Sequence, residues 1–219
     1  MKLDKNTYGT VLLVYLFGAA VLCAMFLCAD CCVWLKVLVT LVILWFCGWQ
    51  TMFHMVPVRE RIGSESVVSA VADGKIVYID KVYEDEWLKR EVTMISIYMD
   101  FWDVHANFWP VTGTVTYAAY HPGKHFLAFK PKASEENEHT CTCIQTAAGK
   151  DVYFKQLAGG FARRIVNYAK VDMPVNAGNQ CGIIKFGSRI DMYLPLDAEI
   201  LVEVGQEVRA SETAIAKLV

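Results

Sequence analysis

The stretch CGIIKFGSRIDMYLP (residues 181–195) decides the fold class. Apolar residues lead in, from Cys181 to Ile184. On the way out Ile190, Met192 and Leu194 alternate with Arg189, Asp191 and Tyr193. Both halves have the short, branched and aromatic character of strands. Between them sit Gly187 and Ser188, a residue without Cβ and a hydroxyl, where a strand would simply continue. A glycine inside a strand pattern marks a bulge or a close backbone approach, so the pair needs a reason.

Outward from this stretch the pattern repeats. Residues 75–83 (KIVYIDKVY), 91–99 (EVTMISIYM), 113–120 (GTVTYAAY), 140–147 (TCTCIQTA) and 151–158 (DVYFKQLA) alternate and are punctuated by Gly, Pro and Asp. Residues 159–170 (GGFARRIVNYAK) set Phe161 and Ile165 at a helical spacing, but the period of two runs on, and they are read as strand. The charged ASEENEH (133–139) reads as a solvated loop, with room for a short helix beside it. Residues 171–186 and 202–218 echo one another: a Val, a turn, a second Val, a small-residue turn and a short apolar strand. Residues 68–79 add a third such element, with Asp73-Gly74 as its turn. This pattern resembles the hammerhead of biotinyl and lipoyl carrier domains and related barrel-sandwich folds. A lipoyl domain needs an exposed lysine in the tight turn; Gly187-Ser188 stands there instead, so the carrier function fails while the fold remains expected.

The front of the chain is different. Residues 6–29 and 37–58 carry no charge, and mean hydropathy for the whole chain is +0.31. A helix needs about 20 apolar residues to cross a bilayer, and a second run straight after the first argues against a signal peptide. The fold class expected is therefore mostly β: a barrel-sandwich, lipoyl-like domain over 57–219, preceded by a transmembrane α-hairpin over 1–56. The short turn puts both ends on one side. Lys2 and Lys5 before the hairpin, and Arg59 and Arg61 after it, point to the cytoplasmic face of the inner membrane.

Net charge is -2, which offers nucleic acid no basic field. Of eight cysteines, five lie in the hairpin. Cys141 and Cys143 form a C-x-C with no second pair and no histidine at zinc spacing. All eight read as small apolar fillers in a reduced compartment, and no metal site is expected.

Three elements carry chemistry: VADGKI (71–76) with Asp73, DVHANFWPVTG (103–113) with His105, and Gly187-Ser188. Together they resemble the phosphatidylserine decarboxylase family, over roughly residues 56–219. VADGKI resembles its P-x-D-G element, with Val71 in place of proline; DVHANFWPVTG resembles its V-H-x-x-x-x-P-V-x-G element; FGSR occupies the self-cleavage position. The stretch 120–139 and the hairpin are similar to the short bacterial form. The longer members have Leu-Gly-Ser-Thr and a further histidine; Phe186, Arg189 and Trp102 stand at those positions here.

The resemblance implies a self-processing lyase. Decarboxylating an amino acid needs an electron sink that no ordinary side chain supplies. Ser188 would attack the Gly187 carbonyl and end as a pyruvoyl group, giving chains 1–187 and 188–219, a heterodimer. His105 would be the base and Asp73 its orienting anion. The substrate would be a phospholipid, phosphatidylserine, decarboxylated to phosphatidylethanolamine at the membrane. His121 and Lys124, in the turn YHPGK, are candidates for its phosphate; Lys130, Lys132, Arg163, Arg164 and Arg189 are further cations. Archaetidylserine or a related headgroup lipid is an alternative substrate, and a non-enzymatic membrane-tethered adaptor is an alternative class. A soluble amino-acid decarboxylase is disfavoured by the two spans.

Overall fold

A computed structural model describes residues 1–28, 30–124, 137–159, 164–185 and 188–219. Phe186, Gly187, Lys130, Lys132 and Arg163 lie outside the described residues. The chain divides into two compact units, Met1–Pro57 and Val58–Val219.

The first unit is a helical hairpin: β1 (Lys2–Leu3), α1 (Tyr8–Cys28), α2 (Val33–Phe53) and β2 (Met55–Val56). β1 and β2 pair antiparallel, Lys2 opposite Val56, and close its open end. Gly18 marks a close approach of the helices, since a Cβ there would lie 2.9 Å from Ile43 Cγ2. Both helices are long and apolar enough to cross a membrane. Leu27 and Trp34 are more than 80% exposed within the unit, and Leu13 and Phe17 more than half. Lipid tails cover such a surface without the cost that water imposes.

The second unit is built of strands. In chain order they are β3 (Val67–Ser69), β4 (Gly74–Glu84), β5 (Arg90–Met99), β6 (Ala106–Phe108), β7 (Gly113–His121), β8 (His139–Gln145), β9 (Asp151–Ala158), β10 (Arg164–Asn167), β11 (Pro174–Val175), β12 (Gln180–Lys185), β13 (Ser188–Leu194), β14 (Glu199–Ile200), β15 (Glu207–Val208) and β16 (Ala214–Lys217). Eight form a curled half-barrel sheet in the order β11-β7-β8-β9-β13-β5-β4-β15. Two three-stranded sheets, β10-β12-β6 and β14-β16-β3, complete the unit.

The period of two sorts the large sheet into two faces. Ile95, Ile97 and Met99 of β5, Val152, Phe154 and Ala158 of β9, and Ile190, Met192 and Leu194 of β13 share one core. Val92, Cys141, Cys143, Tyr153 and Tyr193 form a second cluster on the other face. Burying each large side chain contributes about 1.5–3 kcal/mol, so the alternation on β13 fixes its register from both sides.

The strand pattern around residue 187 now has its explanation. Lys185 ends β12 in a three-stranded sheet, and Ser188 begins β13 in the eight-stranded one. The chain has changed sheets between Lys185 and Ser188. Among residues 159–170, the described strand is Arg164–Asn167. The loop expected at 133–139 needs correction at its end: Asn137, Glu138 and His139 are buried. Asn137 Nδ2 donates to the Ala158 carbonyl at 2.7 Å, and the Glu138 carbonyl accepts the Ala158 amide at 2.9 Å. The end of β9 takes these residues out of water.

Candidate active site

Ser188 is fully buried at the head of β13, paired with Met99 of β5 on one side and Ala158 of β9 on the other. Its hydroxyl donates to Met99 Sδ at 3.1 Å. Asn107 Nδ2 lies 3.9 Å from the same sulfur. Asn107 Oδ1 accepts from Gln156 Nε2 at 2.7 Å, and Gln156 Oε1 accepts from the Thr140 hydroxyl at 2.8 Å. A buried polar chain thus runs from β8 and β9 through β6 to the serine. Gly182 makes room for it: a Cβ there would lie 2.9 Å from Gln156 Nε2 and 2.3 Å from the Val166 carbonyl oxygen.

His105, also fully buried, precedes β6. Its carbonyl accepts the Ile184 amide at 3.2 Å, which ties it to the strand leading into the sheet change. Nδ1 lies 2.9 Å from the Asp103 carbonyl. A carbonyl only accepts, so Nδ1 carries the proton and Nε2 is the basic nitrogen.

Asp73 occupies the turn before β4 and is largely buried. One carboxylate oxygen accepts from Arg59 at 2.5 Å and the other from the Ala210 amide at 2.8 Å. Burial pushes the Asp73 carboxyl up, against the pull of that amide and of Arg59. Gly74, at φ 147°, lets β4 lie against β5: a Cβ there would sit 2.2 Å from the Tyr98 carbonyl oxygen.

A cavity of about 750 Å³ opens beside these elements. Asp73, Asp100, Asp103 and Glu207 give its lining an acidic cast, with Lys75 and Arg209 as counter-charges. Tyr98 and Val104, also in the lining, each adjoin in sequence a residue of the buried site, Met99 and His105. Burial and the neighbouring carboxylates of Asp100, Asp73 and Glu207 push the Asp103 carboxyl up.

The other candidates lie elsewhere. His121 Nε2 is 2.7 Å from Glu86 Oε1, and the Lys124 carbonyl accepts the Glu138 amide at 2.9 Å. Arg189, expected among the exposed cations, is buried at 1% exposure and paired with Asp191 at 2.9 Å. It points away from the Ser188 face because neighbours on a strand alternate. Sequence reading missed Met99, Asn107 and Gln156. Two of them had a signal: Asn107 shares a strand face with His105, and Gln156 is the polar residue on the inward face Val152-Phe154-Ala158.

The sequence profile of phosphatidylserine decarboxylase matches residues 48–216. The chain is 44% identical over 170 residues to the phosphatidylserine decarboxylase proenzyme of Amoebophilus asiaticus, covering 78% of this chain and 76% of that protein. It is 46% identical over 155 residues to the protein of the same name from Parabacteroides distasonis, covering 71% and 70%. With that of Bacteroides thetaiotaomicron it shares 47% over 155 residues, covering 71% and 68%.

Proposed function

The chain belongs to the phosphatidylserine decarboxylase family, and on that premise we propose that it is a proenzyme that cuts itself between Gly187 and Ser188 and works through the ketone so made. As a family member it is a carboxy-lyase. The observation that carries the finer reading is the buried Ser188 at the change of sheet, its hydroxyl donating to the Met99 thioether.

Maturation follows from the residues. Ser188 Oγ adds to the Gly187 carbonyl carbon as His105 Nε2 takes the hydroxyl proton. The peptide C–N bond breaks, the amine of residue 188 takes a proton, and an ester joins the two residues. Loss of the Cα proton of residue 188 expels the Gly187 carboxylate and leaves dehydroalanine. Water then releases ammonia and leaves a ketone at the head of β13. The pocket suits this group, because a ketone made from Ser188 is no larger than the serine it replaces. Once formed, the pyruvoyl group supplies the electron sink for decarboxylation.

The chain's own residues do the rest. His105 holds and returns protons at the reacting carbon. Asp73 contributes negative charge that favours an imidazolium. The acidic cavity draws the ammonium of the serine headgroup toward the site. Lys124 remains the proposed contact for its phosphate, while His121 is engaged by Glu86 at 2.7 Å on the sheet face opposite Ser188. The hairpin anchors the enzyme where its lipid is, and Lys2, Lys5, Arg59 and Arg61 favour the cytoplasmic face of the inner membrane.

The test is the intact mass of the purified chain, as parent and as Ser188→Ala. The parent should give two fragments, 1–187 and 188–219, the smaller with a blocked, ketone-reactive N-terminus; the variant should stay whole. An active parent at a single 24.6 kDa would overturn the reading.

A further inference from the structure

On the sheet face opposite Ser188, four ligating side chains meet. Glu86, His121, His139 and Cys141 bring their ligand atoms within 4.8 Å of one another. Register forces most of this. His121 on β7 is directly opposite His139 on β8, so the two share a face. Their rings stack with centroids 4.8 Å apart. Cys141 is two residues along β8, on that face again. Glu86 comes from the connection between β4 and β5, which Glu84 staples by accepting the amides of Glu86, Trp87 and Leu88 at 3.1, 2.9 and 2.7 Å. Trp87 stacks on Tyr117 of β7 at 4.3 Å and holds that connection over the sheet.

We propose that these four side chains are a binding site for a divalent transition-metal ion, with Zn²⁺ the best match to two imidazoles, a thiolate and a carboxylate. A tetrahedral zinc site with such ligands has donor separations of about 3.5 Å, so the cluster has to draw in by about an ångström. His121 is 40% exposed on its side chain and can move; His139 and Cys141 are fixed on the strand. The outer partners are already in place. His139 Nδ1 donates to the Asn137 carbonyl at 2.6 Å, which leaves Nε2 to coordinate. Glu86 Oε2 is 3.1 Å from Lys155 Nζ and 3.2 Å from the Tyr153 hydroxyl, while Oε1 faces His121. One oxygen can therefore ligate while the other keeps its partners.

On binding, the Cys141 thiol, now donating to Glu86 Oε2 at 3.3 Å, gives up its proton to solvent and the sulfur takes the metal. His121 moves its ring proton from Nε2 to Nδ1. With both imidazoles neutral, Glu84, Glu86 and Lys155 sum to one negative charge; a divalent ion less the thiol proton brings the group to neutrality. The ion would tie together both ends of residues 122–138, through His121 and His139.

The experiment uses the full chain in detergent, stripped with chelator and titrated with Zn²⁺ against a chromophoric competitor, then with Co²⁺. The expected result is one equivalent per chain and an intense thiolate-to-cobalt charge-transfer absorption. Cys141→Ser should abolish that absorption. His121→Asn, at a half-exposed ring, should weaken Zn²⁺ by more than the roughly 10–100-fold that losing an outer partner costs. Cys143→Ser, one step along the same strand face, should leave both intact. No charge-transfer absorption in the parent, or the same binding in Cys141→Ser and His121→Asn, would overturn the proposal. The readout is independent of decarboxylation, so it stands or falls apart from the catalytic reading.

Discussion

Replacing Arg189 with Met in a Ser188→Ala background tests how the strand beginning at Ser188 is held. Arg189 and Asp191 are 1% and 0% exposed and pair at 2.9 Å through both Nε and Nη2. Ser96 donates to Asp191 Oδ1 at 2.6 Å, and the guanidinium lies 5.9 Å from the Tyr78 ring centroid. Removing the arginine leaves a buried carboxylate that keeps its serine bond and loses the guanidinium. Breaking one side of such a pair costs about 3–5 kcal/mol, whereas replacing both sides by apolar residues is often neutral or stabilising. Arg189→Met and Asp191→Leu alone should each lower stability by about 4 kcal/mol, and the double variant should return to within about 2 kcal/mol of the parent. The coupling would then be about 6 kcal/mol or more, far above the ~0–1 kcal/mol of a surface pair. Urea unfolding of the full chain in detergent reads it as shifts in midpoint at constant slope. Single variants costing under about 1 kcal/mol, or a double variant equal to their sum, would refute the reasoning.

Two further predictions follow from the site. Gln156→Leu strips the Asn107 carbonyl and the Thr140 hydroxyl of their bonds; it should cost about 2–4 kcal/mol and slow the appearance of fragment 188–219 on a gel, and unchanged kinetics would show that Asn107 does not position the serine. Asp103 holds its proton more tightly folded than at the usual 3.8, through burial and the surrounding carboxylates. Its contribution to stability is therefore complete below that value and is lost as pH rises through its raised folded pKa. Asp103→Asn removes the loss, so the variant's advantage in urea midpoint should grow with pH above about 4 and then level off; an advantage that is flat or shrinks contradicts the assignment.

Much of the fold was legible because it is written in short-range periods. The two uncharged runs, and the alternation on residues 75–83, 91–99 and 151–158, fix element type from local sequence. The Gly187-Ser188 pair was legible as an anomaly, although the reason for it was not: that the strand changes sheets is a fact of pairing partners. Arg189 looked like a surface cation because the sequence does not say that Asp191 and Ser96 would close around it. The cluster of Glu86, His121, His139 and Cys141 was invisible for the same reason. Its spacings match no ligand motif, and only the antiparallel register of β7 with β8 brings the four together. Ladder partners far apart in sequence are what a one-dimensional reading lacks.

β13 lies in the middle of its sheet, with seven residues paired to β5 and six to β9. Farther on, β15 pairs with β4 and β16 with β3. If residues 188–219 become a separate polypeptide, that polypeptide is gripped along both edges by the larger one, and the cut falls between ladders rather than through one. The mature enzyme should therefore ignore dilution. Its two pieces would not exchange between molecules, specific activity would be independent of concentration down to the limit of detection, and loss of activity on heating would follow first-order decay, as for a single uncut chain.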